Sequence, residues 1–534
     1  SLGRKTKFWQ FFALLVIFIF ALQIENPRWN MIKVSDDDSN YLAHATTIAL
    51  DFDFDYSNET LEALRGNPNA HPVHGMGPGV LGAPFVGLFY QLDRLQNTAF
   101  VADRAQVLGS WAYFGFSFAS SVYFLFGIYL YYRAASALGA RLGKVTLVLL
   151  CTGTGVLFYA TIRPHMSHSF EFFCFALIVY ASVRLAENKD NRGYIWNTLI
   201  AFGVSLSWLT RFYALYAIAL PYIVFVIWHI FYSEANNKTM IKRMCVLTVY
   251  IFMFMAAGIM LTFIAFKGQL PYYTSLGREG LTTLGQIESR SKLPDNVWTY
   301  ISYLRIIIFG NSFPLILSSP IIPFGVALLF ISLYAKLKRY PVWVGLLMII
   351  TLCYLAGPIL LVMGWRTHAS AYGFRYLYGL VPIGMLGLFL WRRFCWQNLL
   401  RQRLVFSLLI IASIFSTTAV VVYPVTQTID ASRISEFGRE DRFSAKGQLY
   451  RISSTMMRMR WIGEVLRKQS AVKPLAAIVD SSVKIYGAGR GNPNISMQAL
   501  IITLLWSGCI GAYVFKVKDG SDEVVRSGTL STGA

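Results

Sequence analysis

The sequence predicts an all-α polytopic membrane protein: a bundle of about twelve transmembrane helices, with further helices lying along one interface and a small C-terminal cap on that same outer side. Three observations carry this reading. Of 534 residues, 55% are hydrophobic and only 14% charged, and the mean hydropathy is +0.49. Soluble domains carry about 25% charged residues, and a water-soluble fold could not hide so much apolar surface. Second, apolar runs long enough to cross a hydrocarbon core recur along the chain. Third, the basic residues gather in short clusters between those runs, as the insertion bias requires.

In chain order, the run 8–24 follows Arg4, Lys5 and Lys7. No small-residue cleavage site succeeds it, so it reads as an uncleaved first span with its N-terminus inside. Further spans are expected at 108–132, 145–162, 170–185, 194–210, 212–231, 245–266, 318–334, 342–363, 376–391, 404–423 and 498–515. The run 79–92 is short and carries Gly and Pro. Were it to cross, Lys238, Lys242 and Arg243, then Lys336, Lys338 and Arg339, then Arg392, Arg393, Arg401 and Arg403 would all face outward, against the bias. It is therefore expected to dip into or lie along the outer interface, which also puts Arg133, Arg141 and Lys144 inside. Residues 1–423 then form the transmembrane domain, with outer loops at 25–106 and 267–314. Residues 424–497 form an outer cap, and 498–534 the final helix and a cytoplasmic tail. No internal repeat or low-complexity linker breaks this arrangement.

The formal charge of +21 does not point to nucleic acid, because the basic residues sit beside apolar runs rather than on one polar face. The 40 Phe, 30 Tyr and 13 Trp suit a lipid-facing surface with aromatic belts at both interfaces. The six cysteines fall in spans or in an inner loop, so they imply neither a disulfide framework nor a metal site.

Candidate chemistry starts in the first outer loop, at Ser35-Asp36-Asp37-Asp38-Ser39-Asn40-Tyr41, followed by Asp51, Asp53 and Asp55. Adjacent carboxylates raise one another's pKa, and a carboxylate at an interface can act as general base toward a hydroxyl. The same cluster also fits a solvated acidic turn capping a helix, since Asp and Ser are good N-caps. His71 and His74 follow in the same loop; His165 and His168 follow Arg163. Six of the seven histidines (His44, His71, His74, His165, His168, His368) fall on the expected outer side, where they mark a polar cavity. Arg163, Arg211, Arg366 and Arg375 lie at outer ends of spans, where insertion disfavours them. Either they snorkel, or they bind phosphate through paired donors. Glu171, one turn into an apolar span, needs a cavity or a partner such as Arg163 or His168.

Asp37-Asp38-x-x-Tyr41 followed by Ala43 and Ala45 resembles the first outer loop of the GT-C glycosyltransferases, especially their ArnT-like and protein O-mannosyltransferase-like branches. The segment from His71-Pro72 to Pro84 resembles the one preceding their second span. Arg163-Pro164-His165 to Ser169 matches their turn after the third, and Gly373-Phe374-Arg375-Tyr376 their late G-x-R-Y. The resemblance covers roughly residues 8–390 in order; a third Asp and the C-terminal stretch depart from it. It implies a GT-C-like bundle and an inverting transfer of sugar from a polyprenyl-phosphate donor to a hydroxyl acceptor on a glycolipid, glycan or protein. Asp37 is then the base, with Asp36 and Asp38 beside it, and Arg375, Arg163, Arg211 and Arg366 hold the donor phosphate. Tyr41, His71, His74, His165, His168, Glu171, His368 and Tyr376 line the substrate site. No cofactor is certain; a divalent metal is optional, with Asp37, Asp38 and His165 as its candidate ligands. The loop 267–314 is expected to order over bound substrate.

Two other classes fit the composition: a secondary transporter or flippase, and a polysaccharide polymerase or ligase. The first wants charges at mid-span and paired repeats. The second resembles families whose key residues lie in a later outer loop. Cysteine-free outer loops favour a bacterial inner membrane with a periplasmic catalytic face, although Asn58-Glu59-Thr60 and Asn494-Ile495-Ser496 are outward sequons.

Overall fold

The computed structural model describes residues 12–13, 16–17, 19, 36–59, 64–67, 69–72, 74–107, 109–140, 150–161, 163–187, 192–211, 214–232, 237–268, 308, 315–365 and 375–394. Outside them lie the expected spans 404–423 and 498–515, the cap 424–497, most of the loop 267–314, and both Arg366 and His368. The backbones of Asp36, Asp37, Arg375 and Tyr376 are described, but not their side chains.

Every described element is helical. The first outer loop opens with α1 (Asp36–Thr46), which continues into a π-helical turn, Thr47–Asp51. Then come α2 (Gly77–Gln96), the short α3 (Ala99–Ala102), and α4 (Trp111–Ala137). After α5 (Val156–Thr161), α6 (His168–Glu187) and α7 (Gly193–Thr210), a 3-10 turn at Ala214–Ile218 leads into α8 (Ala219–Tyr232) and α9 (Asn237–Ala265). The described part closes with α10 (Leu315–Ser318), α11 (Ile321–Tyr334), α12 (Pro341–Trp365), a 3-10 helix at Arg375–Leu380, and α13 (Val381–Phe394).

Among the described residues, five segments are long and apolar enough to cross a membrane: Trp111–Ala137, His168–Glu187, Ala214–Tyr232, Lys238–Ala265 and Pro341–Ile359. The protein is thus multi-pass. Of the apolar stretch of α6, 78% is buried, against 22% in α9. A helix apolar all round belongs at the centre of a bundle, so α6 is the core and α9 its periphery. Helices close where side chains shrink: α11 and α13 cross at Gly325, Gly384 and Gly387, where an added Cβ would strike backbone of the opposite helix.

Contacts sort the helix ends into two groups. At one end Phe266, after α9, lies beside His44 and His71, and Arg211, after α7, reaches His168 at the start of α6. At the other, Tyr232 donates to the Leu138 carbonyl just past α4, Lys336 lies over Phe231, and His229 packs on Trp343 of α12. The basic residues Lys336, Arg339 and Arg393 gather here, as their clustering predicts.

Helix α2 takes in the ambiguous run 79–92. Pro78 suits its first turn and Asn97, left-handed at φ 49°, ends it. Gly75 and Gly77 abut Leu209 and Thr210 at the close of α7, so closely that neither could carry a Cβ. At its other end the Asp93 carboxylate accepts from the Trp111 and Ala112 amides (2.9 and 2.7 Å), capping α4. Both ends of α2 therefore meet helix ends of the same group, where a crossing helix would join opposite ones. Its open face carries Leu88, Leu92 and Leu95 at helical spacing.

Candidate active site

The acidic triplet forms the first turn of α1, where carboxylates complement the helix dipole. Asp38 is buried. Its Oδ2 lies 3.5 Å from Nη2 of Arg163, in the turn between α5 and α6. Its Oδ1 is shielded and accepts no hydrogen bond among the described residues. A carboxylate taken out of water with one oxygen unsatisfied keeps a strong demand for a donor.

Behind this pair the turn builds a second charged group. The guanidinium of Arg211 donates through Nε to Ser167 Oγ (3.0 Å), sets Nη2 against His168 Nε2 (3.0 Å), and lies 3.5 Å from Glu171 Oε2. Tyr216 reaches the other Glu171 oxygen at 3.5 Å. Of the two expected partners of Glu171, His168 lies beside it with Nδ1 at 3.8 Å, whereas Arg163 is drawn to Asp38 and Arg211, at 3.5 Å, supplies the guanidinium. His168 also touches Tyr159 and Tyr378. Tyr378 belongs to the 3-10 helix that starts at Arg375, so the backbone of Arg375 and Tyr376 opens the turn that carries Tyr378 to this cluster.

The histidines divide by their contacts. His165 stacks on Tyr113 at 4.1 Å, its Nε2 meets Ser117 Oγ at 2.5 Å, and its Nδ1 faces the Tyr113 hydroxyl at 3.4 Å. Its Nε2 is thus committed to Ser117, while its face is covered by Tyr113. Among the described residues no three His, Cys, Asp or Glu side chains converge as a metal site. His44 is fully buried between the Tyr56 hydroxyl (2.8 Å) and the His74 carbonyl (3.0 Å), and burial lowers its pKa to about 3. It is a neutral strut. His74 stacks on Tyr41 (5.3 Å) and His71 lies against Phe266 (4.7 Å), so two half-buried imidazoles cover buried aromatic rings beside α1.

A third network was not visible in the sequence. Arg104, just beyond α3, binds both oxygens of Asp51 (2.5 and 2.6 Å) and Glu59 Oε1 (2.7 Å). Thr46, at the end of α1, donates to the other Glu59 oxygen. Burial raises the Glu59 pKa to about 7, whereas the hydrogen bond from Arg104 lowers that of Asp51. Asp53 and Asp55 accept from backbone amides two residues on, as turn carboxylates do. These contacts fasten the loop that carries the acidic triplet.

No protein-family model and no curated protein matches the chain. Among solved structures it is similar to the oligosaccharyltransferase of Archaeoglobus fulgidus in the apo form: 11% identity and a TM-score of 0.41 over 84% of this chain and 54% of that one. A second structure, the archaeal oligosaccharyltransferase AglB from Archaeoglobus fulgidus in complex with an inhibitory peptide and a dolichol-phosphate, gives 12% and 0.41 over 94% and 56%. This chain spans about half the length of either. A likeness this loose bears no weight in assigning a role to any residue. The four described cysteines, Cys151, Cys174, Cys245 and Cys353, are free thiols.

Proposed function

We propose that the protein is a GT-C-like inverting glycosyltransferase of about twelve spans. It moves a sugar from a polyprenyl phosphate to a hydroxyl on a glycolipid, glycan or protein at the periplasmic face of a bacterial inner membrane. The observation that carries this is the buried Asp38 carboxylate held by Arg163 with one oxygen unsatisfied, in the turn of α1 where the sequence resembles the catalytic loop.

In this mechanism Asp37 takes the proton of the acceptor hydroxyl, and the freed oxygen attacks the anomeric carbon from the face opposite the phosphate. The bond from that carbon to the phosphate oxygen breaks, its electron pair stays with the lipid phosphate, and the configuration inverts. Asp38 keeps the first turn of α1 docked to Arg163, so that Asp37 meets its substrate in one geometry. Arg375 and Arg366 stabilise the charge that grows on the leaving phosphate, with Arg163 shared between phosphate and Asp38. Arg211, already neutralised by Glu171, positions Ser167 and His168. The cluster of Tyr41, His74 and His71 takes the acceptor. These steps balance without a metal; were one bound, Asp37, Asp38 and His165 would be its candidate ligands.

The test is release of polyprenyl phosphate from a labelled polyprenyl-phosphate sugar, with the full chain in nanodiscs and envelope extract as acceptor. Wild type should release it and Asp37→Asn should not. Passage of intact donor across a vesicle bilayer without cleavage would replace this reading with a flippase.

A further inference from the structure

The opposite end of the bundle holds a recess that the transfer reaction does not use. A cavity of about 30 Å³ lies between α8 and α9, lined by Phe225, Trp228 and His229 on one side and by Thr239 and Arg243 on the other. His229 is 7% exposed, and its Nδ1 is shielded with no hydrogen-bond partner among the described residues. Its ring is fixed edge-on to Trp343 at 4.8 Å. Arg243 is half-buried and makes no ion pair among the described residues, while Glu187, next to the lining residue Ala186, is already paired with Arg184 at 2.8 Å. The recess thus offers a guanidinium, a hydroxyl and an imidazole nitrogen, and no carboxylate is among its described lining residues. Its size suits phosphate oxygens rather than a ring.

From Arg243 an apolar stripe runs down α9: Val246, Val249, Met253 and Met260 repeat at helical spacing and remain 41%, 57%, 61% and 59% exposed. An acyl chain laid on that stripe would bring its headgroup to the recess. We propose that this is a fixed binding site for the phosphate of an anionic membrane lipid. Arg243 supplies paired donors, Thr239 and His229 single ones, and Trp228 packs at the glycerol level. A soluble phosphate would gain nothing from the stripe, so the lipid is the occupant.

The experiment is thermal unfolding of the purified full chain in detergent with added phosphatidylglycerol, phosphatidylcholine or inorganic phosphate. Phosphatidylglycerol should raise the midpoint of wild type, and Arg243→Gln should need about tenfold more of it, the loss expected for one charge-assisted hydrogen bond. Lys242→Gln, which removes the same charge from an exposed neighbouring position, should respond as wild type does. If Arg243→Gln fails to fold, His229→Phe carries the same expectation. An unchanged response in Arg243→Gln, or an equal loss in Lys242→Gln, would overturn the site. An equal shift from phosphatidylcholine or from inorganic phosphate would overturn the lipid as its occupant.

Discussion

The two ends of this bundle handle charge in opposite ways. At one end Asp38, Glu171 and Arg211 are buried, Arg163 is half-buried, and the four form two ion pairs, Asp38 with Arg163 and Glu171 with Arg211. At the other, Lys336 and Arg339 lie over the rings of Phe231 and Tyr340, and Arg184 pairs with Glu187 in neighbouring turns of α6. Charges left by insertion bias need only reach the headgroups, so their stems can lie along apolar and aromatic surface. Charges taken into the bundle cost several kcal/mol each unless paired, and persist where function or structure demands them.

The comparison breaks first at α1. Asp37→Asn should lower transfer by about 10² to 10⁴-fold, the range for a general base, with donor binding kept. Asp38→Asn should cost less, because the amide still accepts from Arg163. The reverse order in single-turnover assays would shift the base by one residue. On the phosphate side, Arg375→Ala should lower kcat by about 10² to 10³-fold and raise KM less, as loss of a charge-stabilising donor does. Arg375→Lys should recover part, since an ammonium lacks the paired fork. A wild-type rate in Arg375→Ala would move the phosphate toward Arg366 or Arg163.

Smaller effects should appear in the loop. Arg104→Ala strips Glu59 and Asp51 of their cation and should cost about 3 kcal/mol, read as lost hydrogen-exchange protection over residues 44–59. The pH dependence is subtler. Glu59, with its pKa raised to about 7, favours the folded loop when protonated, so its contribution falls as pH rises from the ordinary carboxylate value to about 7. His44, lowered to about 3, favours the folded loop when neutral, so its contribution rises from about 3 to the ordinary histidine value. The two oppose each other through mildly acidic pH. Glu59→Gln should remove one arm, so that protection climbs steadily from pH 5 to pH 7; an unchanged profile would mean that Glu59 does not titrate there.

Much of the membrane architecture was legible because hydropathy and basic clusters record the physics of insertion. Even α2, too short and too rich in Gly and Pro to settle by itself, was placed by where Lys238 and Lys336 had to lie. The pairing of Arg163 with Asp38 was not legible, since 125 positions separate them and neither lies in a periodic pattern. Glu59 and Arg104 sit in polar loop sequence without a motif. Only the fold shows that one is buried and the other bridges two carboxylates. Nor does any motif mark Asp93, whose carboxylate caps the following span.

One single-turnover experiment on a paired set bears on the whole account: Asp37→Asn and Arg375→Ala at the acidic end, Lys336→Gln and Arg393→Gln at the basic end, each with a polyprenyl-phosphate sugar in the same nanodisc. The account predicts losses of about 10²-fold or more in the first pair and rates within about twofold of wild type in the second. Comparable losses in both pairs, or full transfer by Asp37→Asn and Arg375→Ala, would contradict the claim that chemistry belongs to the acidic end.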